Sequence, residues 1–381
     1  MRLVAVAAAA ALALGACASQ QASPGGAASS GEQQPRRGLP GPFDAGFFAF
    51  GPDGTLYTDD CSFGVVLAMT SVDRGRIVAG WNGEEPLTGG TDFGDGGPAT
   101  SAPLTCPTGL VFDAQGRLVI ADHGHNRVRR VDADGTIETI VGEKSSTQVD
   151  QSVFGGDGGP AYDASLASPV GLTFDAAGDL YIADRDTNRV RVVSGDGTIR
   201  TVAGNGSTDF DGDGHPATAH SLSYPLSTVV DPRGNLYIAD DNQNRIRMVT
   251  PDGTISTVIG DGTFGSKGDG GPARKAQVDD PQGIALDAAG NLYVSEYGAN
   301  RIRRIDPHGV VTTFAGTGSQ ADEGMGGPAA AAAIPQPGQL AIGPDGALYV
   351  QDQTFSRILR IDLRTGIVTV VAGGPQGIRP G

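Results

Sequence analysis

Short apolar runs recur along most of the chain and are separated by Gly, Asp, Asn and Pro. In residues 171–204 the runs are LTFD, DLYIAD, RVRVV and IRTVA, and two of the breaks read DAAG and SGDG. Branched and aromatic residues bounded by tight-turn sequences predict strands rather than helices. We therefore expect four short antiparallel strands in this segment.

The same four-run segment occurs six times. Four copies align without gaps, one has a single added residue and the first is degenerate; they span 109–142, 171–204, 227–260, 283–316, 338–373 and 46–80. A proline opens five copies, at 107, 169, 225, 281 and 337, and Ala45 stands in its place in the first. This period predicts an all-β, six-bladed β-propeller of four-stranded antiparallel blades. Because one blade cannot bury both of its faces, we expect residues 42–381 to fold as one domain.

The repeat also resembles a known family. The segment GIALDAAGNLYVSEYGANRIRRI at 283–305 resembles the NHL repeat. The linking element GDGGPAxxAxLxxP is similar to that of bacterial NHL arrays and of the NHL domain in teneurins. The resemblance implies an NHL-type propeller, but not one function, because similar propellers bind proteins, bind RNA or act as metal-dependent lyases or lactonases.

The hexapeptide GDGGPA falls between the fourth strand of one unit and the first strand of the next. It stands at 94–99, 156–161 and 268–273, with near-copies at 212–217 and 324–329. We expect it on the face where strand 2 turns into strand 3, here called the upper face. Its glycines, aspartate and Pro-Ala step suit a turn and the start of a short helix. Met325 replaces the aspartate in the last copy, so we interpret the element as a structural crossover rather than a shared metal site.

The first residues predict export. Arg2 precedes an apolar run that is too short to span a bilayer and ends in small residues. The sequence LGAC at 14–17 resembles a bacterial lipobox, which implies a lipoprotein signal peptide over 1–17 and a lipid anchor on Cys17; ordinary cleavage after ACA at 16–18 is the alternative. Residues 18–41 hold few large apolar groups and predict a disordered tether. We therefore expect a lipid-anchored protein of the bacterial cell envelope.

Charge and cysteine content narrow the partners. The formal net charge is −16, which disfavours nucleic acid as a partner. Apart from Cys17, the chain has only Cys61 and Cys106, which the repeat places on the upper face of adjacent blades. An exported protein favours a disulfide between them, with two free thiols as the alternative.

An acid ends the second strand of every unit, and an arginine follows five residues later in five units. The simplest interpretation is a structural ion pair. The alternative is a ring of carboxylates that holds a cation such as Ca²⁺ or Zn²⁺, with Asp122, Asp184 and Asp240 as candidate ligands. The acids are Asp60, Asp122, Asp184, Asp240, Glu296 and Asp352, and the arginines are Arg127, Arg189, Arg245, Arg301 and Arg357.

Residues that occur once are the better candidates for binding, because recurring residues build the fold. The ligand-binding candidates of the upper face are His123, His125, His215, His220, Tyr297 and Phe355. The histidines could contribute to a zinc site or could be solvated loop residues.

Two functions remain open from the sequence. The first is a non-enzymatic binding platform that uses its upper face for a protein or carbohydrate partner at the cell envelope. It is favoured because no G-x-S-x-G, H-E-x-x-H or triad motif appears. The alternative is a metal-dependent hydrolase or lyase that acts on a small molecule at the upper mouth of the channel.

Overall fold

A computed structural model describes residues 43–80, 93–142, 154–214 and 216–380. These residues form six antiparallel sheets, each with the strand order of a propeller blade, which confirms the predicted fold. The predicted signal peptide with Cys17, the tether and His215 lie outside the described residues. No helix of the described part of the chain has the length and apolar character needed to cross a membrane.

Each blade contains four strands, numbered from the channel outward. Blade 1 has β1 (Phe48–Phe50), β2 (Leu56–Asp60), β3 (Val65–Ser71) and β4 (Arg74–Gly80). Blade 2 has β5 (Pro107–Phe112), β6 (Leu118–Asp122), β7 (Arg127–Val131) and β8 (Ile137–Val141). Blade 3 has β9 (Pro169–Phe174), β10 (Leu180–Asp184), β11 (Arg189–Val193) and β12 (Ile199–Ala203).

The other three blades repeat this arrangement. Blade 4 has β13 (Pro225–Val230), β14 (Leu236–Asp240), β15 (Arg245–Val249) and β16 (Ile255–Ile259). Blade 5 has β17 (Pro281–Leu286), β18 (Leu292–Glu296), β19 (Arg301–Ile305) and β20 (Val311–Ala315). Blade 6 has β21 (Pro337–Ile342), β22 (Leu348–Asp352), β23 (Arg357–Ile361) and β24 (Val368–Gly373), and β25 (Arg379–Pro380) follows it.

Among the described residues, short 3₁₀ helices occupy two kinds of connection. Five follow the glycine-rich element of a crossover: Ala99–Ser101, Ala161–Asp163, Ala217–Ala219, Ala273–Lys275 and Ala329–Ala331. Three lie between the second and third strands: His123–His125, Arg185–Thr187 and Asp241–Gln243.

The ring closes through blade 1. Phe43 and Ile378 exchange two backbone hydrogen bonds, of 2.8 and 2.7 Å. Both side chains are buried in one apolar cluster with Phe48 and Leu67. Strand β25 then adds to the outer edge of blade 1, parallel to β4. Segments before the first and after the last full blade therefore meet on the same sheet.

The apolar core lies between neighbouring blades. One cluster joins Val119 of blade 2 with Leu172 and Ile182 of blade 3, and the crossover contributes Ala161 and Leu166. Alternation along each strand sends apolar side chains to both faces of a blade, so each face needs a neighbour. Full burial of one such Leu or Ile side chain contributes about 1.5–3 kcal/mol.

The glycine-rich element does not stay on the upper face, so that part of the prediction is wrong. It runs along the outer strand of the following blade: the Gly96 N–H donates to the Ile137 carbonyl (2.9 Å) and the Ala99 N–H to the Gly135 carbonyl (2.9 Å). Equivalent bonds recur in blades 3 to 6. An outer strand would otherwise leave its N–H and C=O groups unpaired. GDGGPA is therefore an edge cover for the next blade.

Two glycines show why this element needs residues without a side chain. Gly156 has φ +89°, and a Cβ there would lie 2.6 Å from Ala164 Cα. Gly158, with φ +81°, has open space around it, so its requirement is backbone conformation alone.

Candidate functional site

The acid at the end of the second strand is buried in every blade, at most 2% exposed. In blades 2 to 4 it also fixes the crossover. The Asp122, Asp184 and Asp240 carboxylates accept the backbone N–H of Thr105, Ala167 and Ser223 at 2.8, 2.7 and 2.7 Å. Within the described ranges, no three His, Cys, Asp or Glu side chains are arranged to hold a metal ion. The three candidate metal ligands are thus each used within their own blade.

The ionic partner of this acid is not the arginine that the spacing predicts. In blades 2 to 5 it is the arginine seven residues after the acid, and these fully buried residues are Arg129, Arg191, Arg247 and Arg303. In blade 5, Arg303 Nη1 lies 2.9 Å from Glu296 Oε1 and Nη2 lies 2.6 Å from Asp269 Oδ1 of the glycine-rich element. Each guanidinium therefore bridges the second strand and the edge cover. The aspartate of GDGGPA recurs because it completes this bridge.

The arginine five residues after the acid has other contacts. Arg189 donates to the carbonyls of Thr187 and Asn205 and lies 3.9 Å from the centroid of the Phe154 ring. Arg245 stacks on Phe210 in the same way, at 3.8 Å. Both arginines lie on the same face of their strand as the bridging arginine, two residues away, so spacing alone did not separate them.

Arg127 and Arg301 repeat this pattern in part. The Arg127 guanidinium lies 3.9 Å from the centroid of the Phe93 ring, and Arg301 donates to the Thr317 carbonyl at 3.3 Å. Only Arg357 forms the predicted pair, with Nε 2.8 Å from Asp352 Oδ2.

Blades 6 and 1 lack the bridge. In blade 6, Met325 replaces the aspartate and Leu359 replaces the arginine, and the two side chains share one apolar cluster. Arg357 instead forms ion pairs with Asp352 and Asp322. In blade 1, apolar Val65 and Leu67 occupy both arginine positions. The substitution in blade 6 keeps the charge balanced, whereas blade 1 keeps its acid without an arginine.

Asparagines join consecutive blades at the upper face, a role that sequence reasoning missed. Asn126 is left-handed (φ 55°), and its Oδ1 accepts the Ser168 N–H of the next blade at 2.8 Å. Asn188, Asn244 and Asn300 repeat this bond. The available signal was the asparagine that directly precedes the first arginine of the third strand in blades 2 to 5.

Blade 1 has Gly64 at the asparagine position, and a disulfide stands nearby. Cys61 and Cys106 are bonded to each other and join blade 1 to blade 2. The disulfide thus links the two blades at a boundary that lacks the asparagine hydrogen bond. Cys61 also lies in the wall of the channel.

The described histidines do not come together. His125 contacts Asp122 through Nδ1 (2.8 Å) and Thr105 through Nε2 (3.1 Å). His220 contacts Asp211 at 2.7 Å and is almost fully buried. His123 Nδ1 has no hydrogen-bond partner among the described residues, and burial lowers the pKa of its imidazole to about 4. His125 and His220 thus make separate contacts, each with its own aspartate.

A cavity of about 620 Å³ follows the central channel and opens at the upper face. Its lower part is lined by apolar residues of the inner strands, including Phe50, Phe112 and Ile342. Its upper part is polar on the side of blades 5, 6 and 1, where Tyr297, a predicted candidate, contributes. Phe355, the other aromatic candidate, lies under Arg357 at 4.7 Å and is not in this wall.

Glutamines build much of the polar side. Gln339 binds the backbone of blade 1 twice, accepting the Phe48 N–H at 2.6 Å and donating to the Phe48 carbonyl at 3.0 Å. Gln353 Nε2 donates to Gln282 Oε1 at 2.7 Å. Gln351 Oε1 accepts the Gln339 N–H at 3.2 Å. The amides hold one another in place around the channel mouth.

The polar side could have been found by comparing blades at one position. The residue before the second-strand acid is Ala121, Ala183 and Ala239 in blades 2 to 4, but Ser295, Gln351 and Asp59 in blades 5, 6 and 1. Sequence reasoning examined the acid and not its neighbour. This position separates a uniform half of the ring from a varied half.

Comparison with known families agrees with this architecture. The Teneurin NHL domain matches residues 71–154 and 263–324, and the NHL repeat matches residues 166–193. The chain is an NHL-repeat β-propeller. This NHL propeller is 31% identical to human Teneurin-4 over 264 residues, which cover 63% of the chain and 9% of the relative. It is 28% identical to Drosophila melanogaster Teneurin-m over 338 residues, which cover 69% of the chain and 12% of that relative. The chain thus spans about a tenth of the length of these curated relatives.

Solved structures share the fold at low identity. Virginiamycin B lyase from Staphylococcus aureus has a TM-score of 0.52 and 16% identity, covering 87% of this chain and 85% of the lyase. An auxiliary nutrient binding protein from Bacteroides thetaiotaomicron has a TM-score of 0.54 and 16% identity, covering 83% of this chain and 68% of that protein. A chain of a nidogen/laminin complex has a TM-score of 0.51 and 18% identity, covering 85% of this chain and 91% of its own. At these identities the likeness concerns the fold alone.

Proposed function

We propose that this NHL propeller is a non-enzymatic binding module whose upper face takes a protein or carbohydrate partner. The observation that carries the proposal is the cavity at the channel mouth, whose rim varies from blade to blade. The residues directly after the second-strand acids are Cys61, His123, Arg185, Asp241, Tyr297 and Gln353. Three of them, Cys61, Tyr297 and Gln353, line the cavity, and this variation around a uniform scaffold suits recognition rather than folding.

The contacts of the described residues support binding over the metal-dependent hydrolase or lyase. The second-strand acids of blades 2 to 6 each face an arginine. His125 and His220 are each paired with an aspartate. His125 also contacts the Thr105 hydroxyl through Nε2 at 3.1 Å, but Thr105, His125 and Asp122 lie outside the lining of the channel cavity. The structurally similar solved proteins include both a lyase and binding proteins, so the fold by itself does not distinguish a binding module from an enzyme.

The proposed setting is the bacterial cell envelope, with a lipid on Cys17 and residues 18–41 as the tether. Its support is the sequence of residues 1–17. Intact-mass measurement of the membrane fraction should show a lipid-sized increment that Cys17→Ala abolishes. An unmodified protein in the soluble fraction would contradict the anchor without affecting the binding module.

The binding proposal is tested with the full chain on a glycan array and against envelope proteins. We expect a partner that is retained by the wild type and by His308→Ala, which changes an exposed residue of a lower turn. The rim variants Tyr297→Ala and Gln353→Ala should lose it. Equal retention by the rim variants, or no partner in either screen, would contradict a binding role for the upper face.

A further inference from the structure

The second strand of blade 1 ends in buried acids that have no arginine partner among the described residues, unlike the equivalent acids of blades 2 to 6. Asp59 and Asp60 end β2 and are 1% and 2% exposed, respectively. In blades 2 to 6 an arginine meets the equivalent of Asp60, but blade 1 has Val65 and Leu67 at both arginine positions. A buried carboxylate without a counter-ion is expensive to keep ionised.

Backbone N–H groups satisfy part of these carboxylates but supply no full positive charge. Asp60 accepts the Asp44 N–H at 2.8 Å and the Phe63 N–H at 3.0 Å. Asp59 Oδ1 accepts the Phe47 N–H at 2.9 Å, and Asp59 Oδ2 has no hydrogen-bond partner among the described residues. Burial raises the pKa of Asp59 well above its usual range and raises that of Asp60. Asp59 Oδ2 is therefore an acceptor that the described residues leave unused.

The surroundings of Asp59 are built closely around it. A Cβ on Gly46 would lie 2.0 Å from Asp59 Oδ1, so glycine is required for the backbone to pass the carboxylate. The segment Asp44–Phe47 and the end of β2 together form one wall of the channel cavity.

The charge of the cavity wall is one-sided. Three aspartates, Asp44, Asp59 and Asp60, line the cavity, and no Lys, Arg or His among the described residues does. Burial disfavours ionisation of Asp59 and Asp60, so a cation in the cavity would stabilise their carboxylates by supplying the counter-charge that blade 1 lacks. The lower channel adds partly exposed apolar residues such as Phe50, Phe112 and Ile342. The volume of about 620 Å³ falls within the range of small-molecule sites.

We infer that the channel mouth beside blade 1 binds a small organic cation, with an ammonium or guanidinium group near Asp59, Asp60 and Asp44 and an apolar body in the lower channel. This inference goes beyond the proposed function, whose partner is a protein or a carbohydrate. An organic cation is preferred to a metal ion, because the described residues offer no cluster of three metal ligands and the channel body is apolar.

Titration calorimetry on the full chain tests the site with three probes of matched shape. 2-Phenylethylamine carries the cation, 2-phenylethanol is its neutral counterpart and phenylacetate carries the opposite charge. We expect the amine to bind at least about ten-fold more tightly than the alcohol, which corresponds to a modest favourable charge interaction. We expect no detectable binding of the anion. The preference should decrease as salt is added.

Two variants locate the site. Asp59→Asn keeps an oxygen for the Phe47 N–H but removes the charge, and Asp44→Asn changes an exposed residue that leaves the backbone bonds in place. Both should reduce the preference for the amine, while Asp163→Asn, an exposed acid outside the cavity wall, should not. Circular dichroism checks that each variant is folded. If Asp59→Asn does not fold, Asp44→Asn tests the site.

Several outcomes would overturn the inference: equal binding of amine and alcohol, unchanged preference in both variants, binding of Ca²⁺ but not of the amine, or no heat from the amine at millimolar concentration. The partner screen of the proposed function is run on the same variants. One result would separate the two proposals: the wild type retains a partner that Tyr297→Ala loses, but the wild type does not bind the amine. This result would refute the cation site and leave the binding module standing.

Discussion

Blades 1 and 4 end their second strand with the same residue type, yet the two carboxylates face different surroundings. Asp240 of blade 4 lies 3.7 Å from the buried Arg247, which also binds Asp213 of the edge cover at 3.0 Å. Asp60 of blade 1 faces backbone N–H groups and no arginine. An acid that recurs with its arginine is structural. The acid of blade 1 is buried without such a partner among the described residues.

The two blades also differ in how they hold the next blade. Blade 4 uses the Asn244 side chain, which accepts the Asp280 N–H at 3.2 Å. Blade 1 has Gly64 at that position and uses the Cys61–Cys106 disulfide. The disulfide thus fixes Cys61, the residue directly after Asp60, to blade 2 in the wall of the channel.

The largest expected effect follows from removing the arginine of blade 4. Arg247→Leu leaves Asp240 and Asp213 without their shared partner and should lower the free energy of unfolding by about 3–5 kcal/mol. Urea unfolding of the variant measures it. Arg247→Leu with Asp213→Met copies the Met325–Leu359 pair of blade 6 and should recover part of the loss. Additive losses in the double variant would show that the two residues are not coupled.

A smaller loss is expected from the disulfide that is particular to blade 1. Replacing Cys61 and Cys106 together by Ala should lower the free energy of unfolding by about 2–4 kcal/mol, because the unfolded chain regains the freedom of the closed loop. The measurement is urea unfolding under non-reducing conditions, with the wild type in reductant as control. A variant as stable as the oxidised wild type would show that the hydrogen bonds around the mouth are sufficient.

The pH dependence of stability tests the acid of blade 4. Burial raises the pKa of Asp240 to about 7, while Arg247 lowers it by less. The folded state therefore binds a proton that the unfolded state releases, so this contribution to stability is present below about pH 4 and is lost as the pH rises toward 7. Asp240→Asn should flatten the decrease in stability over this window. An unchanged slope in the variant would assign the titration to other groups.

The smallest effect is expected at the stacked aromatic residues of the crossovers. Phe210→Leu removes a ring that lies 3.8 Å from the Arg245 guanidinium, and should cost about 0.5–1 kcal/mol because both groups are partly exposed. The exposed Phe264, changed to Leu, is the matched control. Equal effects in thermal unfolding of the two variants would mean that burial, and not stacking, decides the contribution.

Sequence comparison between repeats worked where a feature lies within one blade. The strands, their turns and the six-fold period follow from local patterns of branched and polar residues, and the structure has them at the expected positions. The crossover helices also begin at the predicted Pro-Ala steps, for example at Ala161 after Pro160. These features depend on residues close in sequence, so local physical chemistry is sufficient to predict them.

Contacts between elements were harder to predict. Arg189 and Arg191 share one face of β11, and both are within reach of Asp184 by spacing. Partners from other segments separate them: Arg189 donates to the Asn205 carbonyl, whereas Arg191 bridges Asp184 and Asp157. The Phe154 ring packs against both guanidiniums, at 3.9 and 4.7 Å. The ring comes from a segment some 35 residues earlier, so no local rule selects the pair.

The sequence by itself determined the propeller, its six blades and the residues that repeat to build it, since these follow from periodicity. Only the tertiary structure decided where GDGGPA pairs, which arginine is buried and which side of the channel is polar. The reason is that closing the ring brings Asp59, Gln339 and Gln282 from three blades into one wall. Their proximity depends on packing between blades, and the sequence of a single repeat does not specify that packing.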